Sequence, residues 1–348
     1  MTIGVAIIGS GIFAKEEHLP AVQAYPGLSL KAVYSRSLKS AQSLSENLSN
    51  IDLYSDDSGS GKTYQDLLQR DDIQAFVIAL PITKQADFIE AALAAGKHVL
   101  SEKPIAQDIQ RSEKLLQFYK SDKVKGGATW AVAENLRFVE TIVVAAKEIK
   151  KLGKILGFRV KSFGNVAPGG KYIETAWRKV PEHQGGFLLD GGIHTVAAIR
   201  LLLGENKPSA LASYSALLKS HLPPVDTVNS IWQTSSGISG TFAMSFGTTL
   251  SGGAYEIACE DGTVIVEKNK VTVRKGNESD NNIIFQQEFH DRSNGVVGEV
   301  AAWAKGIEEG KPNPLQSPEQ ALADLEILEK MLVSGEKGGV SIPLQYQV

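Results

Sequence analysis

Along the first third of the chain, apolar residues fall into two alternating patterns. Short continuous runs rich in β-branched residues (Ile3–Ile8, Leu30–Tyr34, Ile73–Leu80 and Lys97–Leu100) read as buried strands. Between them lie stretches with apolar residues three and four apart, which read as helices. These are Ser37–Leu48, alanine-rich Ala86–Ala95 closed by Gly96, and Asp108–Phe118. Strand and helix alternating with this short period predict a doubly wound parallel sheet whose ligand lies at the carboxyl ends of its strands. Beyond Gly126 the pattern changes. Strand-like segments follow one another at Ile155–Phe163, Pro208–Leu218, Val228–Thr234, Ile238–Phe246, Tyr255–Cys259, Thr263–Glu267 and Lys270–Arg274. Successive strands imply a largely antiparallel sheet, with one face covered by helices and one open. Helices are expected at Val139–Lys151, Leu188–Leu203, Val296–Glu309 and Pro318–Val333, with Ser334–Gly339 a polar, partly mobile tail.

The fold class is therefore α/β, in two domains: a dinucleotide-binding one over 1–125 and an α+β one over 126–348. The last helices are expected to pack back on the first domain. A length of 348 residues exceeds what one core usually holds. A net charge of −3 supplies no basic field for nucleic acid. No apolar window of membrane-spanning length stands out, and the first strand begins too early for a signal peptide, so a cytoplasmic protein is expected. Cys259 is the only cysteine and lies in a strand-like alternation, so it reads as a buried small hydrophobe. Trp130, Trp232 and Trp303 lie in apolar runs and read as core.

Candidate chemistry begins at the first turn. Ile3–Ile8 feeds Gly9-Ser10-Gly11-Ile12-Phe13-Ala14, a Gly-x-Gly-x-x-Ala pattern between strand and helix. Gly9 permits the tight turn, Gly11 leaves room for a pyrophosphate, and Ala14 allows close helix packing. At the end of the second strand, where NAD sites carry an acid, stands Ser35-Arg36-Ser37, with Lys39 nearby. Hydroxyls and a guanidinium suit a 2′-phosphate, which favours NADP(H); as the bland alternative, Arg36 is a solvated turn residue. Glu102-Lys103-Pro104 follows the Lys97–Leu100 strand at the sheet's carboxyl edge, where Lys103 alone would pass for a surface charge. Asp190 and His194 are four apart and share one face of a helix. That spacing suits a carboxylate orienting an imidazole or two metal ligands, but no motif supplies a third ligand, so no metal is expected.

In order, Gly9-x-Gly11-x-x-Ala14, Ala79-Leu80-Pro81, Ala95-Gly96-Lys97-His98-Val99 through Glu102-Lys103-Pro104, Glu134-Asn135-Leu136-Arg137-Phe138, and Gly185-Gly186 through Asp190-x-x-x-His194 resemble the Gfo/Idh/MocA oxidoreductases. That family is named for glucose–fructose oxidoreductase and inositol dehydrogenase, and the chain looks closest to a fungal NADP(H)-dependent member. The resemblance implies that Gly9 to Phe13, Ser35 to Ser37, Leu80, Pro81, Glu102 and Lys103 bind the cofactor. It implies that Lys103 meets the reacting oxygen, that Pro104 follows a cis bond, and that His194 is the general acid/base beside Asp190. The resemblance also puts Asn135, Arg137, Tyr172, Trp177 and Arg178 near a small, hydroxylated substrate; the alternative for each is ordinary surface or core of the second domain. Gln85 departs from the family, whose helices often carry His there. The resemblance also implies a homodimer or homotetramer through the open sheet face, within a second domain that binds substrate. The expected activity is hydride transfer between nicotinamide and a sugar-, polyol- or aldehyde-like carbonyl or alcohol. The alternative is a non-catalytic, NADP-sensing regulatory or scaffold protein.

Overall fold

Ile3–Ile8 (β1) is buried along its whole length, as only a strand covered on both faces can be. Around it lie β2 (Leu28–Ser35), β3 (Asp52–Ser55), β4 (Ala75–Ile78), β5 (His98–Glu102) and β6 (Trp130–Ala133). Their order is β3-β2-β1-β4-β5-β6 and every neighbouring pair is parallel, so this is the doubly wound nucleotide-binding sheet. The structure, a computed structural model, describes residues 2–277, 282–290 and 294–348. The chain divides into two units, Met1–Glu134 with Val296–Leu322, and Asn135–Gly295 with Ala323–Val348.

In the first unit the crossovers carry α1 (Leu19–Ala24), α2 (Leu38–Ser45), α3 (Tyr64–Leu68), α4 (Ile82–Ala94) and α5 (Ile109–Tyr119). Their apolar spacing faces the sheet: Ile82, Ala86, Ile89 and Leu93 are the buried stripe of α4. The helix Val296–Glu308 joins this core, where Val296, Val300 and Trp303 pack with Leu19 and Val22. The sixth strand, β6, was not legible as part of this sheet. It carries the first unit on to Glu134, beyond the boundary expected at 125.

In the second unit a nine-stranded sheet combines β7 (Ile155–Asn165), β8 (Pro208–Ala216), β9 (Thr227–Thr234), β10 (Ser239–Ser245), β11 (Gly247–Cys259), β12 (Gly262–Glu267), β13 (Lys270–Lys275), β14 (Ile283–Glu288) and β15 (Ile342–Pro343). Its pairs are antiparallel except β7 with β10, which run parallel. Along β9, Val228, Ser230, Trp232 and Thr234 are buried while Asn229, Ile231 and Gln233 are exposed. One face is thus core and the other open. The helices of this unit are α6 (Glu140–Ile149), the short α7 (Ala176–Lys179) and α8 (Gly186–Leu203). By length and hydropathy α8 is apolar enough to cross a membrane, which the sequence reading did not register, but 78% of it is buried inside the protein. The tail expected to be mobile is instead anchored. The last helix, Pro318–Glu336, runs past Val333, and buried Ser334 accepts the Ser213 N–H at 2.8 Å and donates to the Val340 carbonyl at 2.7 Å.

Candidate active site

At the end of β1 the chain turns on Gly9, whose φ of +108° suits glycine alone. A Cβ there would stand 2.2 Å from the Ala79 carbonyl oxygen. Gly11 is the opposite case: a Cβ built on it meets nothing within 4 Å. The turn therefore faces open space on the side where a pyrophosphate must approach, and a dinucleotide fits it. Helical bonding starts at once, with the Lys15 N–H donating to the Gly11 carbonyl at 3.1 Å, and passes through a π-helical stretch, Ala14–His18. Ser10 and Ser35 join the turn to the end of β2, their hydroxyls 2.7 Å apart.

Arg36 is exposed at the end of β2. Ser37 caps α2, its hydroxyl accepting the Ser40 N–H at 3.3 Å. A carboxylate missing from the end of β2 also arrives from elsewhere. Asp57, on the loop after β3, accepts the Ser55 hydroxyl at 2.6 Å and the Leu38 N–H at 2.7 Å, and these bonds hold its carboxyl below the usual range. Leu80 lies beside Gly9, and Pro81 starts α4.

Lys103 follows β5 across a cis bond to Pro104, as expected. Glu102 makes two side-chain contacts within the first unit. Its Oε1 is 2.6 Å from His18 Nε2, and its Oε2 accepts the Lys103 N–H at 3.2 Å. The buried Gln85 side chain donates to the carbonyls of Glu102, at 3.1 Å, and Pro104, at 3.5 Å. His18 and Gln85 had no legible partner in the sequence.

In the second unit the candidates converge on the start of α8. Gly186 and Gly192 let neighbouring segments close in: a Cβ would lie 2.3 Å from the Pro223 carbonyl in one case and from Met244 Cε in the other. Asp190 is buried in the first turns of α8 and accepts Arg178 Nε at 2.7 Å. The Arg178 guanidinium stacks on Trp177, 4.0 Å from the ring centroid, with Tyr172 at 5.6 Å. His194 follows Asp190 by one turn on the same face of α8, half-buried. His183, which no motif singled out, joins this cluster with its ring 6.3 Å from Trp177. Burial pushes its imidazole below the ordinary value, and the Asp190 charge partly opposes that.

Two further candidates, Arg137 and Asn135, have partners within the second unit. Arg137 is buried in an ion pair with Asp324, which also takes Arg200 Nη1 at 2.6 Å. A guanidinium so enclosed is part of the core. Asn135 opens a 3-10 helix, Asn135–Phe138, and donates its amide to the Asn294 carbonyl at 2.6 Å, within the second unit. No cluster of His, Cys, Asp and Glu that would hold a metal occurs among the described residues.

Residues 3–127 match the Gfo/Idh/MocA model for the oxidoreductase family's NAD-binding Rossmann fold, and residues 146–344 match that family's C-terminal α/β domain. The chain belongs to the Gfo/Idh/MocA oxidoreductases. Among relatives, dehydrogenase FPY6 of Fusarium mangiferae is 41% identical over 343 residues, 97% of each chain. The solved oxidoreductase TM0312 of Thermotoga maritima superimposes with a TM-score of 0.86 at 29% identity, over 99% of this chain and 98% of its own. Levoglucosan dehydrogenase, solved with NADH and levoglucosan, has a TM-score of 0.83 at 20% identity over 99% of each chain, which speaks to fold alone. In this Gfo/Idh/MocA chain residues 3–127 form the NAD-binding domain, and a D-xylose 1-dehydrogenase (NADP(+)) of Haloferax volcanii is 25% identical over 95% of this chain and 97% of its own.

Proposed function

We propose that this Gfo/Idh/MocA chain is an NADP(H)-dependent enzyme acting on a hydroxyl-bearing carbon of a sugar-, polyol- or aldehyde-like substrate, or on the matching carbonyl. The observation that carries the reading is Asp190 and His194 on one face of α8, beside Arg178, Trp177 and Tyr172, in a chain that keeps Lys103 after β5. An aromatic and guanidinium wall of this kind suits sugar-like surfaces, which present both apolar C–H faces and hydroxyls.

When bound, the nicotinamide supplies or accepts the hydride. In the oxidising direction His194 takes the proton of the reacting hydroxyl as a general base, and it returns that proton in reduction. Lys103 opposes the charge that develops on the alkoxide oxygen. Asp190 fixes the start of α8 through Arg178, and the guanidinium offsets much of its charge one turn from His194. Preference for NADP(H) rests on exposed Arg36, on Ser35, and on the lack of an acid at the end of β2. Asp57 works against it.

The chain acts as a cytoplasmic homodimer or homotetramer in this reading. The open sheet face, with Tyr214 at 67% and Ile231 at 59% exposure, supplies apolar contact area for a second copy. A monomeric mass by light scattering at micromolar concentration would remove that part. The catalytic part is tested by turnover of a sugar, polyol and aldehyde panel. Lys103→Met and His194→Ala should each lose at least 100-fold in kcat while still binding cofactor, and unchanged turnover in both would overturn the reading.

A further inference from the structure

The loop that carries Lys103 is gripped from two sides by buried polar groups that no motif assigns. From one side comes His18, 1% exposed at the end of the π-helical stretch, with Nε2 2.6 Å from Glu102 Oε1. The other oxygen of that carboxylate accepts the Lys103 main-chain N–H. From the other side comes Gln85 on α4, fully buried, whose Nε2 bonds the carbonyls of Glu102 and Pro104, the residues flanking Lys103. Each side chain leaves its remaining polar atom, His18 Nδ1 and Gln85 Oε1, buried without a partner. Buried polar atoms are seldom left so, because desolvating them is unfavourable. A leucine at 85 would avoid the orphaned oxygen, but it would also release two carbonyls around the lysine.

We propose that His18 and Gln85 are positioning residues for Lys103. His18 holds it through the Glu102 carboxylate, and Gln85 holds the main chain on both sides. The π-helical stretch ends at His18, and such single-turn insertions are frequent at functional sites. Phe13, in the phosphate-binding turn, packs edge-on against the His18 ring at 5.3 Å, so the same imidazole contacts both the turn and the Lys103 loop. The Gln85 departure gains a role here: its single amide reaches two carbonyls. A histidine at 85 would keep an N–H for one of them.

This inference rests on the proposed role of Lys103 for its importance to catalysis, but its geometry is tested separately. The protein is reductively methylated with ¹³C-formaldehyde, and the Lys103 dimethylamino resonance is assigned by its loss in Lys103→Arg. Gln85→Leu and His18→Phe should each shift or broaden that resonance and leave those of surface lysines unchanged, with the melting transition retained. Gln85→His should move it back toward the wild-type position. A Lys103 resonance identical in wild type, Gln85→Leu and His18→Phe would overturn the proposal. Turnover then separates the two readings. Lys103→Met that keeps full kcat defeats the catalytic assignment and leaves the positioning result standing. Where Lys103→Met is inactive, Gln85→Leu should lose at least 10-fold in kcat with cofactor affinity within twofold, and unchanged kcat would defeat the positioning role.

Discussion

Replacing Arg137 by methionine tests whether this residue belongs to the core or to the substrate. In the structure its side chain is 2% exposed and its guanidinium pairs with the Asp324 carboxylate, 1% exposed. The other oxygen of Asp324 holds Arg200, itself 5% exposed and bonded to Gln347 Oε1 at 2.9 Å. Burial, with the Arg137 charge adding to it, holds the Arg200 guanidinium below its ordinary value, and Asp324 and Glu326 partly oppose the shift. Two cations therefore meet the two oxygens of the Asp324 carboxylate away from water, with the buried Glu326 carboxylate also acting on Arg200. Removing one partner of a buried pair typically costs about 3–5 kcal/mol, because the other charge stays buried. Arg137→Met leaves Asp324 paired with Arg200, so the lower end, about 3 kcal/mol, is expected. Asp324→Asn removes the carboxylate that both guanidinium groups contact and should cost about 5 kcal/mol, a large part of a total stability near 5–15 kcal/mol. Urea unfolding followed by tryptophan fluorescence reads both losses. Stability within about 0.5 kcal/mol of wild type, a spread ordinary for surface substitutions, together with a raised KM, would refute the buried-pair account and return Arg137 to the substrate.

Three further outcomes follow from named contacts. Burial pushes the Cys259 thiol up to about 11, with Glu260 adding to the shift. Its thiolate fraction near pH 8 should thus be about 100-fold below that of the unfolded chain, and labelling by a disulfide reagent should be slower in proportion. His98 Nδ1 accepts the Thr129 N–H at 3.1 Å, and burial lowers its pKa, so the fold requires it neutral. The unfolded chain then binds the proton more readily, so stability present above pH ~6.5 is lost on acidification below it. His98→Gln should flatten the fall in melting temperature between pH 7 and 5.5, and an unchanged slope would count against the assignment. Because Asp57 takes the Leu38 N–H beside Arg36's end of β2, Asp57→Asn should raise NADPH affinity relative to NADH. A ratio that stays the same or moves toward NADH would show that this carboxylate does not reach the 2′ position.

Much of the first unit was legible because its determinants are local. The β-branched run of β1, the Gly9 and Gly11 spacing and the apolar stripe of α4 each sit within one element, where period and glycine placement carry the information. The Asp190/His194 pair was legible for the same reason, as one helix face. What sequence reading missed depends on distant partners. Arg137 looks like a polar residue in a family motif, and only the fold brings Asp324 to it. His18 and Glu102 lie 84 residues apart, and nothing in either local pattern announces the other. Ser334 looked like the start of a polar tail because its partners, Ser213 and Val340, come from a strand far upstream and a segment near the chain's end. Trp130–Ala133 was a short apolar run of ambiguous allegiance until its pairing with β5 made it the sixth strand. Asp57 shows the same limit at the site itself, where the absence of an acid from β2 did not exclude one supplied by the loop after β3.

The proposed preference for a 2′-phosphate is tested most directly by fluorescence titration of wild type and Arg36→Ala with NADPH and NADH. Wild type should bind NADPH at least tenfold more tightly than NADH, with that advantage lost in Arg36→Ala and NADH affinity unchanged. Equal affinity of wild type for the two cofactors would contradict the NADP(H) assignment, and binding of neither would contradict the enzyme reading as a whole.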